Sequence, residues 1–138
     1  MNDAPFPEVI GSLLSTDQLV QRILSAGMEV HGQLGPGYLE LVYQEALVLE
    51  FTLRGIQHVR EVYVPIAYKG HRLSFSFRAD FICYGSIVLE LKAVQGLSAK
   101  DDPQLRSYLN ATGHAHGLLL NFGAQRLQYK RINVDQPR

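Results

Sequence analysis

The stretch Leu73-Ser74-Phe75-Ser76-Phe77-Arg78-Ala79-Asp80-Phe81-Ile82-Cys83-Tyr84-Gly85-Ser86-Ile87-Val88-Leu89-Glu90-Leu91-Lys92-Ala93-Val94 decides the reading of this chain. Its apolar residues recur with period two on both sides of Tyr84-Gly85-Ser86, which predicts two antiparallel strands joined by a short turn. Both runs are apolar, yet they carry Asp80, Glu90 and Lys92. Charges on buried strands are costly to desolvate unless they are paired or hold a cation.

The register tests whether these charges can meet. With a three-residue connection, Gly85 taking a left-handed conformation, Cys83 pairs with Ile87, and counting outward sets Asp80 opposite Glu90 and Arg78 opposite Lys92. Opposite residues share a face at roughly 5 Å between Cβ atoms. A two-residue loop would send Asp80 and Glu90 to opposite faces. In the second strand Ile87, Leu89 and Leu91 point one way and Val88, Glu90 and Lys92 the other, so one face is expected to be core and the other to hold charge.

Two ionised carboxylates at that spacing repel, and a hard divalent cation such as Mg²⁺, with Mn²⁺ as an alternative, relieves the repulsion through oxygen ligands. Lys92, on the same face, could orient an attacking water or stabilise charge growing on a phosphate. The plainer reading is an Asp/Glu/Lys cluster on a solvated sheet face.

Working outward, Ser15 with Gln18 forms a capping box for a helix over about 16–34. Gly35-Pro36-Gly37 breaks it, and a second helix runs from about Tyr38 to Arg54, with Gly55 as its stop. Val59 to Tyr68 is a strand that turns through Lys69-Gly70 into Leu73. Asp102 as N-cap and Pro103 at the first helical position start a third helix that Gly113 ends. Gly117 to Phe122 and Leu127 to Ile132 are the last two strands. An extension over 1–14, one domain over 15–134 and a tail over 135–138 complete the division.

The chain has 138 residues, 46% of them hydrophobic, which suffices for one core and is too short for two ordinary domains. Thirteen basic residues balance thirteen acidic ones, so any nucleic-acid contact must come from a local patch. Cys83, the single cysteine, reads as a small buried hydrophobe, and no disulfide framework exists. No apolar run approaches the ~20 residues needed to cross a bilayer, and no leader pattern opens the chain, so a cytoplasmic protein without membrane contact is expected.

Four further positions bear on the site. Gln104 and Tyr108 lie four apart on the third helix, where they could support the lysine or reach a nucleic-acid strand; ordinary helix surface is the alternative. Glu40 falls in the first turn of the second helix, where the dipole favours a carboxylate with or without a further role. His31, late in the first helix, has the ordinary reading of a packed or solvated side chain.

The run Leu34-Gly35-Pro36-Gly37-Tyr38-Leu39-Glu40-Leu41-Val42-Tyr43 resembles the signature of the GxxExxY protein family, here Gly37, Glu40 and Tyr43, which is assigned to the PD-(D/E)XK nuclease-like superfamily. Glu29-Val30-His31, Arg78-Ala79-Asp80, Val88 to Val94, the Gln104 helix and Leu119-Leu120-Asn121-Phe122-Gly123 follow in the order that family shows, over about residues 16–132. The resemblance implies an α/β, restriction-endonuclease-like αβββαβ core with a mixed central sheet flanked by helices. It implies Asp80 and Glu90 as metal ligands and Lys92 as the catalytic lysine. Gln104 with Tyr108 resembles the QxxxY element of RecB-like exonucleases, in which a helix-borne His also binds metal, so His31 becomes a candidate ligand. Glu40 resembles the acidic residue that many members carry on the first core helix. Ala79 stands where the superfamily's name has proline.

The leading expectation is therefore a Mg²⁺-dependent nuclease acting on DNA phosphodiesters, DNA being preferred over RNA by the superfamily's habit. Its rival is a noncatalytic nucleic-acid- or protein-binding module that retains the fold, which the zero net charge favours. A homo-oligomer is compatible with either. A small-molecule enzyme has little support, since there is no phosphate-binding glycine loop, no Gly-x-Ser-x-Gly and no Cys/His metal cluster.

Overall fold

The computed structural model describes residues 13–134. Almost all of the 1–14 extension and the whole of the 135–138 tail lie outside those residues. Helix α1 spans Thr16–Leu34 and opens on the expected capping box, with the Ser15 hydroxyl accepting from the Gln18 N–H and the Gln18 side chain accepting from the Ser15 N–H. Helix α2 spans Glu40–Arg54 and ends at Gly55, whose φ of 69° satisfies the left-handed stop.

Strand β1 (His58–Tyr68) turns through Lys69 and Gly70 into β2 (His71–Cys83). Both turn residues have positive φ, as a two-residue hairpin requires. Strand β3 (Ile87–Lys92) follows, then α3 (Asp102–Thr112), β4 (His116–Asn121) and β5 (Gln128–Asn133). The sheet order is β1-β2-β3-β4-β5, antiparallel except for β3 beside β4. That parallel pair needs a crossover, which α3 supplies. The result is the mixed α/β, restriction-endonuclease-like architecture.

The start of α3 differs from the expectation. Asp102 is the first helical residue and not the cap; a short 3-10 turn, Ala99–Asp101, capped by the Ser98 hydroxyl, leads into it. The Asp102 carboxylate accepts from Lys130 Nζ at 2.9 Å and so ties the helix start to β5.

The sheet has two covered faces. Against α1 and α2 pack Phe81, Cys83, Ile87, Leu89, Leu91, Leu118, Leu120 and Phe122. Against α3 pack Ala79, Val88, Leu119 and Ile132 with Leu105, Tyr108 and Leu109. The second face of β3 is thus not simply charged. Val88 is core, because α3 presses so closely here that a Cβ on Gly117, its neighbour in β4, would lie 3.0 Å from Leu105 and Leu109. The charges are confined to the last turn of the strand, Glu90 and Lys92.

Candidate active site

The β2–β3 register is the one the three-residue connection requires: Cys83 with Ile87, Ile82 with Val88 and Phe81 with Leu89. The ladder then opens. At the next position a side chain takes over, with Asp80 Oδ2 accepting the Leu91 N–H at 2.7 Å. Arg78 lies beyond the ladder and does not pair with Lys92; its strand partner is Tyr63 of β1.

Asp80 also marks a change of face. Phe77, Ala79 and Ile82 pack with the α3 cluster, whereas Phe81 and Cys83 pack with the α1/α2 cluster, so strict alternation fails between Ala79 and Phe81. In β1 the matching position is Glu61, between the pairs Arg60–Phe81 and Val62–Ala79, and its φ is 54°. A non-glycine residue in that region stores strain of about 1–3 kcal/mol. The change of face leaves Asp80 within reach of Gln44 on α2.

There Asp80 is almost fully buried. Its Oδ1 accepts from Arg78 at 2.7 Å and from Gln44 Nε2 of α2 at 3.2 Å. Gln44 Oε1 in turn accepts from Arg60 Nε at 2.7 Å. Arg78 also pairs with Glu61 at 3.6 Å. Neither Gln44 nor Arg60 is marked by any sequence pattern. Arg78 stands in the Arg78-Ala79-Asp80 run, but its contact with Asp80 depends on side chains two apart turning to the same face.

Glu40 enters from the start of α2, and a local device sets its position. Gly37 has φ of 113°, a conformation that other residues resist. The buried Tyr43 hydroxyl donates to the Gly35 carbonyl at 2.6 Å and accepts from the Tyr38 N–H at 3.2 Å, stapling the Gly-Pro-Gly turn. The Tyr43 ring stacks on Phe122 at 4.7 Å. Glycine, glutamate and tyrosine at this spacing thus do three jobs: one admits the turn, one carries the charge, one pins the turn to the core.

Electrostatics ties the three carboxylates together. Burial, and then the neighbouring Asp80, pushes the Glu90 carboxyl up to about 7, against the counter-effect of Lys92 and Arg78. Glu40 is raised by burial and by Asp80, opposed by Lys92 and by a bond from the Ala93 N–H. Asp80 is raised by burial, which outweighs its bonds from Leu91, Arg78 and Gln44. Lys92 Nζ lies 4.0 Å from Asp101 Oδ1 at the head of α3, so it stands between that carboxylate and the cluster.

Three expected members, His31, Tyr108 and Gln104, have surroundings of their own. His31 is buried in α1 with Nε2 2.9 Å from the Ala124 carbonyl and its ring 6.2 Å from Phe122, under the loop after β4. It is not among the groups that act most strongly on Glu40, Asp80 or Glu90. Tyr108 is buried edge-on to Phe77 in the α3 core, its hydroxyl without a hydrogen-bond partner, while Gln104 is exposed. The pair expected on one helix face is divided between core and solvent.

Among the described residues no three His, Cys, Asp or Glu side chains close into a ready-made metal cage. The set of His31, Glu40, Asp80 and Glu90 is therefore not assembled as a cage. The donors nonetheless fit a hard cation, because Asp80 is buried, Glu90 is half-buried, and the Asp80 charge raises both Glu90 and Glu40, a repulsion that such an ion relieves. Mg²⁺ commonly uses one or two carboxylates and completes its shell with water and substrate phosphate.

Asn121 frames the site from β4, beside Lys92 in the parallel register. It is fully buried, accepts from the Val94 and Gly123 N–H groups, and donates to the Val94 carbonyl and Gln128. Through these bonds it fixes the chain just after Lys92. Among the described residues no helix is long and apolar enough to cross a membrane.

A family model described as the PD-(D/E)XK nuclease superfamily matches residues 17–132, from the start of α1 to the last strand. The crystal structure of SSO0001 shares 29% identity over 64% of this chain and 49% of that chain, with a TM-score of 0.44. The match spans about half the length of that protein. No curated protein matches the chain.

Proposed function

Because the chain belongs to the PD-(D/E)XK nuclease superfamily, we propose that it is a divalent-metal-dependent nuclease that hydrolyses phosphodiester bonds in DNA. The observation that carries this reading is the convergence of Asp80, Glu90 and Lys92, with Glu40 alongside, where the β2–β3 ladder opens. The left-handed Glu61 opposite Asp80 adds support, since such strain concentrates at functional sites. Gly37, Glu40 and Tyr43 support a place in the GxxExxY family within the superfamily.

In this reading Asp80 and Glu90 hold Mg²⁺ or Mn²⁺, and Glu40 serves as a third oxygen donor directly or through water. When bound, the cation supplies polarisation of the phosphoryl oxygen and an acidified water. Asp80 is oriented by Leu91, Gln44 and Arg78. Glu90, pushed up to about 7, sheds its proton readily when a cation competes for it near neutral pH. Lys92 directs the attacking water and stabilises charge developing on the phosphate. Arg78 limits repulsion between the carboxylates and an incoming phosphate.

The noncatalytic reading has one specific point in its favour: Arg78, Gln44 and the Leu91 N–H already engage both oxygens of Asp80. A time course on labelled single-stranded and duplex DNA with Mg²⁺ or Mn²⁺, comparing parent, Lys92→Ala and Asp80→Ala, decides between them. The nuclease reading expects cleavage by the parent alone. Cleavage that persists in both variants refutes this site, and no cleavage by any of the three supports the binding module.

A further inference from the structure

We propose that the outer part of the β1–β2 hairpin is a track for single-stranded nucleic acid, in which Tyr63 stacks a base and Arg72 takes a backbone phosphate of the strand leading to the carboxylates. This rests on the nuclease reading above and names the substrate form and the surface that holds it.

The first support is charge. Residues 62–79 contain Lys69, Arg72 and Arg78 and no aspartate or glutamate, in a chain whose acidic and basic residues balance. A basic segment on a neutral protein is the local patch that nucleic-acid binding here requires.

The second is topology. Strand β3 pairs with β2 only from Phe81 to Cys83, so beyond Asp80 the hairpin runs on past that neighbour as a two-stranded ribbon. One face of the ribbon is covered: Val64 and Phe77 pack on the α3 cluster, and Ile66 lines a groove with Ser107, Asn110 and Ala111 of α3. The opposite face carries the cross-strand pair Tyr63–Arg78; farther out the register shifts between the pairs Pro65–Ser76 and Ala67–Arg72, Pro65 and Ala67 edge the α3 groove, and Ser76 and Arg72 are exposed. This row begins at the site, because Arg78 reaches Asp80 at 2.7 Å. It reaches Arg72, which pairs with Ala67 four residues or roughly 13 Å along β1 from Tyr63, and six residues from Arg78 along the irregular β2.

The third is the aromatic ring. Tyr63 is 61% exposed, and an exposed ring stacks on a base only if that base is not already stacked in a duplex. A guanidinium and a serine hydroxyl at the outer pairs suit phosphate oxygens. A single strand satisfies both features, whereas a duplex would leave Tyr63 without a partner.

Fluorescence anisotropy with a labelled oligothymidine of about 12 nucleotides, within the span of one binding groove, tests this in Ca²⁺ buffer with the full chain. Tyr63→Ala is expected to weaken binding about tenfold, the effect of one lost stacking contact, and Tyr63→Phe to restore it. Arg72→Ala should weaken binding and lower the slope of log affinity against log salt by about 0.7, as one lost phosphate contact on a single strand does. Tyr63→Ala should leave that slope unchanged. Arg54→Ala, which removes a cation tied to Glu50 and Ser25 at the far end of α2, should bind like the parent.

Parental affinity in both Tyr63→Ala and Arg72→Ala overturns the track while leaving the nuclease reading intact. Equal losses on single-stranded and duplex DNA overturn the stacking role. A parent that binds and cleaves no nucleic acid overturns the nuclease reading and the track with it.

Discussion

The Oδ2 atom of Asp80 accepts the backbone N–H of Leu91 at 2.7 Å, one step beyond the last ladder pair between β2 and β3, Phe81 with Leu89. A side chain thus continues the sheet where the backbones part. It couples the position of one carboxylate to the strand segment that carries the other carboxylate and the lysine.

This coupling separates two effects of removing Asp80. Asp80→Ala leaves the buried Leu91 N–H without an acceptor and is expected to destabilise the fold by about 1–3 kcal/mol. Asp80→Asn keeps an acceptor and should cost less. Both should abolish the Mn²⁺ binding seen by titration calorimetry in the parent. Parental Mn²⁺ binding in Asp80→Asn would place the metal elsewhere.

Stability should depend on pH with a sign set by Glu90. Its carboxyl moves from an ordinary 4.5 to about 7 on folding, so between those values the folded state holds a proton that the unfolded chain has released. The metal-free protein therefore loses stability as pH rises from about 4.5 to about 7. Raised Glu40 and Asp80 act in the same direction. Thermal melts in chelator should give a lower midpoint at pH 8 than at pH 6, Glu90→Gln should shrink that difference, and Mn²⁺ should offset it.

Lys92 is the sharpest test of chemistry against packing. Lys92→Ala should leave Mn²⁺ affinity intact or slightly raised, because a like charge is removed, while DNA cleavage falls by ~100-fold or more. If the lysine only offsets Glu90 and Asp101, the melting midpoint will fall and cleavage will stay near the parental rate.

The Tyr43 staple predicts a defect that is local in origin. Tyr43→Phe keeps the stack on Phe122 but deletes the bonds to Gly35 and Tyr38. A loss of about 1–2 kcal/mol is expected from urea unfolding. Cleavage should fall as well, since the turn that presents Glu40 is loosened, and a fall in stability without any change in cleavage would remove Glu40 from the site.

Two glycines should respond differently to alanine. At Gly123 the new Cβ would fall within the Val94 and Ala93 backbone, which cannot retreat without disturbing the segment after Lys92. At Gly117 it would meet the side chains of Leu105 and Leu109 at 3.0–3.1 Å, where a side chain and not backbone must give way. Gly123→Ala is expected to cost at least ~3 kcal/mol or prevent folding, and Gly117→Ala about 1–2 kcal/mol. Equilibrium unfolding of the two variants side by side checks the order.

The sequence by itself determined the order of elements, the Ser15 cap, the Gly55 stop and the β2–β3 register, because each follows from a local period or a turn of fixed length. That register alone places Asp80 and Glu90 at the same level of the sheet. Tyr43 was visible as part of a motif, though its spacing does not reveal that its hydroxyl holds a turn. Only the tertiary structure decided that β2 changes face at Asp80, that Gln44 of α2 and Arg78 secure that carboxylate, that His31 turns to the Ala124 carbonyl, and that Tyr108 goes into the α3 core. Residue 44 meets residue 80, and residue 31 meets residue 124, only once the helices have docked on the sheet. Periodicity gives the face a side chain takes on its own element; what lies across from that face is set by how the two cores fill.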